Sequence, residues 1–153
     1  MIQRIQTVYL LIVAALTVAM LFMPLAVIQS ANDFFMLDAS GLNTMTTPSE
    51  LITPMWALMA LASIITLIAF VAIFLFKKRV LQIRLCIFNS LLLIGFYGLL
   101  AFYVWKIAGQ SDIFHFSPRI ALGFPLVSLI LNYLAIRNIG ADEALVRSLE
   151  RLR

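Results

Sequence analysis

Long apolar runs alternate with short polar interruptions along this chain, and the interruptions decide where each run ends. Four runs stand out, over residues 9–28, 54–76, 85–105 and 120–136. At about 1.5 Å of rise per residue, helices of these lengths approach or exceed the ~30 Å hydrocarbon core of a bilayer. The pattern predicts an all-α integral membrane protein with four transmembrane helices. The first run exceeds the roughly 7–15 residues of a signal-peptide core, so it is expected to persist as a helix. Pro24 near its outer end is expected to be tolerated there. In the second run Pro54 falls in the first turn, where a missing N–H costs nothing. Trp56 suits an interfacial aromatic belt, as do Tyr103 and Trp105 at the end of the third run. The fourth run carries Gly123, Pro125, Ser128 and Asn132 and is expected to depend on its neighbours.

The polar interruptions orient these helices. Lys77, Lys78, Arg79 and Arg84 lie between the second and third runs. Each would cost roughly 2.5–3.5 kcal/mol at the centre of a membrane helix, so they fix a water-facing turn. The positive-inside rule places that turn in the cytoplasm. Arg4, Arg137, Arg147, Arg151 and Arg153 fall on the same side, whereas only Lys106 and Arg119 fall on the other. Both termini are therefore expected to be cytoplasmic, in a single domain over residues 1–153. The outer loop, residues 29–53, carries Asp33, Asp38 and Glu50 and no Lys or Arg. Within it, Phe34–Leu37 followed by Asp38-Ala39-Ser40-Gly41 predicts a short hairpin on the outer surface. In the cytoplasmic tail, residues 137–153, Gly140 is expected to break the fourth helix. Asp142 and Glu143 then open a short C-terminal amphipathic helix, with Arg147, Arg151 and Arg153 toward its negative end. Leu145, Leu149 and Leu152 form its apolar stripe, a face suited to anionic lipid or to a partner helix.

Composition changes the picture in one respect. The chain is 63% hydrophobic and 12% charged, against about 45–50% and 25% in soluble domains. Its net charge of +4 follows from topology and is no nucleic-acid footprint. Candidate chemistry is sparse. The acids of the outer loop match no calcium-loop spacing, and His115 near Asp112 has no nucleophile or metal ligand beside it at a recognisable spacing. Cys86 is the only cysteine. No Asp, Glu, Lys, Arg or His lies within a predicted span, where such residues usually mark function. No catalytic, cofactor-binding or metal-binding residue is expected, and no cofactor. Ala62 and Thr66 make a small-xxx-small pair, while Gly95 and Gly98 read as close-packing sites within one chain. Asn89 and Asn132 each lie five residues from a flanking arginine, so antiparallel third and fourth helices bring them to matching depth. There they are candidates for an interhelical polar pair, the alternative being that each bonds headgroups, water or its own helix backbone.

Several strings also resemble a known family. They are Met1-Ile2-Gln3-Arg4-Ile5-Gln6-Thr7-Val8-Tyr9-Leu10, Leu81-Gln82-Ile83-Arg84-Leu85-Cys86, Gly95-Phe96-Tyr97-Gly98 and Ala141-Asp142-Glu143-Ala144-Leu145-Val146-Arg147-Ser148-Leu149. They resemble the bacterial family catalogued as domain of unknown function 4293, small four-helix membrane proteins of Gram-negative bacteria. The resemblance runs from end to end, the outer loop excepted. It implies a bacterial inner-membrane location and brings no catalytic residues with it. The expected function is that of a non-enzymatic structural or accessory subunit binding another membrane or cytoplasmic protein. The alternative is a small transporter or channel formed by oligomerisation. The bilayer, a protein partner and further copies of the chain are the expected partners, and nucleic acid is not among them.

Overall fold

The computed structural model describes residues 2–30, 33–45, 50–75, 78–109 and 115–150; for residues 2–4, 30, 33, 147, 149 and 150 it describes the backbone alone. Four long helices are present: α1 (Ile2–Phe22), α2 (Trp56–Phe74), α3 (Arg79–Ala108) and α4 (Phe124–Glu150). All four are long and apolar enough to cross a membrane. The protein is nevertheless not all-α. Five strands, β1 (Ala26–Ser30), β2 (Asp33–Leu37), β3 (Gly41–Thr44), β4 (Leu51–Pro54) and β5 (His115–Pro118), form one antiparallel sheet in the order β4-β3-β2-β1-β5.

The helices run up-down-up-down, with α1 against α2 and α4, and α3 against the same two. Their buried positions recur in alternating steps of four and three. They are Gln6, Leu10, Val13, Thr17 and Met20 on α1, and Leu58, Ala62, Ile65, Ala69 and Ala72 on α2. On α3 they are Gln82, Cys86, Asn89, Leu93, Phe96 and Leu100, and on α4 Ser128, Asn132, Ala135, Ile139 and Asp142. A mean spacing of 3.5 residues is the seam of a left-handed bundle, with side chains seated in holes on the facing helices. Leu11, Leu67, Leu91 and Ile94 point outward and are exposed. The outer faces are thus as apolar as the core.

The sheet closes the end of the bundle away from the termini. The first apolar run does not continue as helix to Ile28: α1 stops at Phe22 and the chain becomes strand at Ala26. The physical reason is Pro24, which biases the preceding residue out of the helical region, followed by β-branched Val27 and Ile28, which suit a strand. Ile28 pairs with Phe35 and Phe116, and Leu37 pairs with Ala26 and Leu42. These side chains share one core cluster with Met20, Leu58, Leu93 and Phe96, so one face of the sheet plugs the bundle. The hairpin expected at Asp38–Gly41 does form. Asp38 N–H donates to the Gly41 carbonyl at 2.9 Å, and Asn43 Nδ2 donates to Asp38 Oδ2 at 3.0 Å. Residues expected to be an outer loop, 29–53, are therefore largely sheet.

The expected break at Gly140 is also absent, and α4 continues to Glu150 without a separate C-terminal helix. A helical glycine costs about 1 kcal/mol against alanine. Packing of Ile139 and Asp142 on either side, both buried, offsets that cost. Gly41 is a different case. Its φ is +153°, and a Cβ there would collide with the Thr53 carbonyl oxygen. Gly41→Ala is expected to cost about 1–3 kcal/mol, read as a lowered thermal midpoint in detergent with the helical circular-dichroism signal retained below the transition.

Candidate functional site

Polar and charged side chains concentrate at the end of the bundle that carries both termini. There Gln6 Nε2 donates to Asp142 Oδ2 at 2.6 Å, a buried contact between α1 and α4. Gln82 Nε2 donates to the Ala72 carbonyl at 3.0 Å, also buried, and ties the start of α3 to the last turn of α2. Gln82, in the first turn of α3, is within reach of α2 because the connection is short, α2 ending at Phe74 and α3 opening at Arg79. At the same end lies a cleft of ≈ 520 Å³ lined by Lys78, Arg79, Val80, Leu81, Arg84, Glu143 and Val146. Three cations and one carboxylate surround its apolar floor. Lys78 and Arg84 are exposed and Arg79 half-buried. The cleft can hold an acidic, partly apolar chain segment by charge and by contact with Leu81 and Val146.

The residues singled out from sequence are distributed as follows. Leu145 is 57% exposed on α4, one residue before Val146 of the cleft. Leu149 and Arg147 are on the same helix but their side chains, like Arg151 and Leu152 entirely, lie outside the described residues. Asn89 and Asn132 are both buried, at 2% and 1% exposure. No hydrogen bond joins them: neither Asn89 amide atom nor Asn132 Nδ2 has a partner. Cys86 is free and buried. His115 is exposed at the start of β5, and Asp112 lies outside the described residues. Among the described residues no group of three or more His, Cys, Asp or Glu could hold a metal ion.

Tyr97 carries a role that sequence reasoning missed. Its hydroxyl donates to the Leu122 carbonyl at 2.7 Å and accepts from the Leu126 N–H at 3.0 Å. The hydroxyl thus stands between the two groups that an uninterrupted helix would join directly, at the entry to α4 beside Pro125. Pro125, whose ring crowds the carbonyl of the preceding turn, was the available sequence signal of an interrupted helix here.

With this geometry in hand, comparison with known proteins is informative in one direction. The family model described as Domain of unknown function (DUF4293) matches residues 2–152. The chain belongs to that family. No curated protein and no solved structure matches it. For this DUF4293 member the functional reading therefore rests on its own residues.

The Gln6–Asp142 bond gives a sharp expectation. Gln6→Leu leaves a buried carboxylate without its donor and is expected to cost about 1–3 kcal/mol. Replacing both partners by Leu is expected to recover most of that loss, since no unpaired polar group then remains. Thermal unfolding of the two variants in detergent checks both statements.

Proposed function

We propose that this DUF4293 protein is a non-enzymatic accessory subunit of the bacterial inner membrane, docking a partner protein through its basic end. The single observation that carries the reading is the cleft between α3 and α4, with Lys78, Arg79 and Arg84 around Val80, Leu81 and Val146. Charge complementarity selects an acidic segment with a few apolar side chains as its occupant. In this reading the chain crosses the membrane four times, and both termini and the α2–α3 turn face the cytoplasm, as the distribution of Lys and Arg requires. Trp56 and Trp105, each 75% exposed, then sit at the opposite interface, where their amphipathic rings are favoured. At 30 and 27 residues, α3 and α4 reach about 45 and 40 Å. Both exceed a ~30 Å hydrocarbon core, so their basic ends stand out of the membrane, where a cytoplasmic or membrane partner can reach them.

Topology is tested by cysteine labelling of intact cells in a background lacking Cys86. Exposed Ser40 in the β2–β3 turn, replaced by Cys, is expected to react with an impermeant reagent added outside. Exposed Lys78, replaced by Cys, is expected to react only after the inner membrane is opened. Reaction at position 78 in intact cells would reverse the orientation.

Docking is tested by charge reversal. Arg79→Glu with Arg84→Glu is expected to abolish co-purification of the partner in mild detergent while membrane insertion persists. Retention of the same partner by this variant would remove the cleft from the function. Recovery of copies of the chain alone would favour an oligomeric transporter or channel in place of an accessory subunit. Recovery of anionic lipid alone would make the basic end a lipid-binding surface.

A further inference from the structure

Midway along the bundle, each of the four helices places a polar side chain in the core at one level. The register follows from the apolar clusters nearer the termini. Cys86 shares a cluster with Ala135, and one turn further from each stand Asn89 and Asn132. Ala14 shares a cluster with Ala69, and one turn further from each stand Thr17 and Thr66. Leu10 shares a cluster with Ile139, and seven residues on from each stand Thr17 and Asn132. The seven-residue steps return to the same face of their helices, and the three-residue steps advance by a little under one turn. Thr17, Thr66, Asn89 and Asn132 therefore occupy one layer to within about a turn of helix. Ser128 follows one turn nearer the sheet. All five side chains are buried, none more than 7% exposed.

The hydrogen bonds within this layer do not close. Thr17 Oγ1 donates to the Ala14 carbonyl at 3.0 Å, and Thr66 Oγ1 donates to the Ala62 carbonyl at 2.9 Å. Each threonine oxygen keeps lone pairs that can accept. Asn89 Nδ2, Asn89 Oδ1, Asn132 Nδ2 and Ser128 Oγ have no partner. A buried polar group without a partner is costly, and native structures meet such a group with protein or with ordered water. The residues adjoining the layer include the small Ala14, Ala62, Ala69 and Ala135, beside the larger Val13, Met20, Ile65 and Leu93, all buried.

The chemistry of the layer selects its ligand. Its groups are two carboxamides and three hydroxyls, with donors and acceptors interleaved and no formal charge. A metal cation would face amide hydrogens and no carboxylate, and an anion would find no cation. A molecule that both donates and accepts satisfies every group.

We propose that this layer is a buried hydration site, in which ordered water bridges Asn89, Asn132 and Ser128 to the hydroxyl oxygens of Thr17 and Thr66. The water couples all four helices at mid-depth and, of the arrangements the sequence leaves open for Asn89 and Asn132, takes the place of a direct amide pair. A bridging water is nearly as favourable in enthalpy as a direct bond, and buried waters of this kind make about three hydrogen bonds each.

The test uses the full chain, uniformly labelled with nitrogen-15, in lipid bilayers. Solid-state NMR with water-selected magnetisation reads which amides lie beside water. The side-chain amides of Asn89 and Asn132 are expected to receive magnetisation from water, while the backbone amide of Leu93 is not. Absence of transfer to both asparagines overturns the proposal. In Asn132→Leu, transfer to Asn89 is expected to fall by at least half, because the shared water loses a partner. Unchanged transfer to Asn89 in a folded variant would show that no shared water joins the two. Melting in sodium, potassium and choline chloride supplies the last arm. Equal midpoints are expected, and a midpoint raised by one metal cation alone would replace water with that ion.

Discussion

Close approach of helix backbones is the constraint on which this molecule depends. Outward-facing Leu11, Leu67, Leu91 and Ile94 are as apolar as anything in the interior, so in hydrocarbon there is no hydrophobic gain in turning one face inward over another. What remains is van der Waals contact and polar pairing. The seam supplies the first through Ala62, Ala69, Ala72 and Ala135, with Ala14 beside it, all buried, which let neighbouring helices approach. It supplies the second through Gln6, Thr17, Thr66, Gln82, Asn89, Ser128, Asn132 and Asp142, also buried. Large apolar residues thus cover the outside as well as the core, and polar side chains stand among the apolar ones inside.

The two ends of the bundle are finished by different means. At the termini, two buried glutamines bind across helices: Gln6 to Asp142 and Gln82 to the Ala72 carbonyl. These contacts join α1 to α4 and α2 to α3 at the end that carries the basic cleft. At the other end the chain leaves the helices as strands whose backbone groups pair with one another. The Leu25 N–H donates to the Leu37 carbonyl and the Arg119 N–H to the Leu25 carbonyl, so Leu25 joins β-strand segments that are far apart in sequence. Irregular chain at a bundle end is tolerated where its backbone groups are satisfied. A rigid cap at one end and a charged, open cleft at the other suit a subunit that presents one end to a partner.

Part of the candidate site was legible before any fold was known. Lys78, Arg79 and Arg84 fall within seven residues of sequence, and their charge alone marked that stretch as one kept out of hydrocarbon. The second wall of the cleft was not legible. Glu143 and Val146 reach it only because α4 continues through Gly140, and that continuation depends on Asp142 meeting Gln6 across 136 residues of chain. Likewise Asn89 and Asn132 were recognisable as a level pair from their distances to flanking arginines. The threonines that complete the layer were not, since a threonine in an apolar run can satisfy its own helix and gives no sign of which face it occupies.

By itself, the sequence determined that four long apolar helices are present and where the charged turn between the second and third lies, because hydrocarbon-length runs and desolvation of charge are local properties. It also determined the Asp38–Gly41 turn, whose chemistry is confined to four residues. The tertiary structure decided where α1 ends and the sheet begins, because Ala26–Ile28 is as apolar as the helix before it, and only pairing with β2 and β5 makes it a strand. It decided the helix faces as well. With every face apolar, no amphipathic period marks the core, and the 3.5-residue seam becomes visible only when four helices stand together and bury their small and polar side chains.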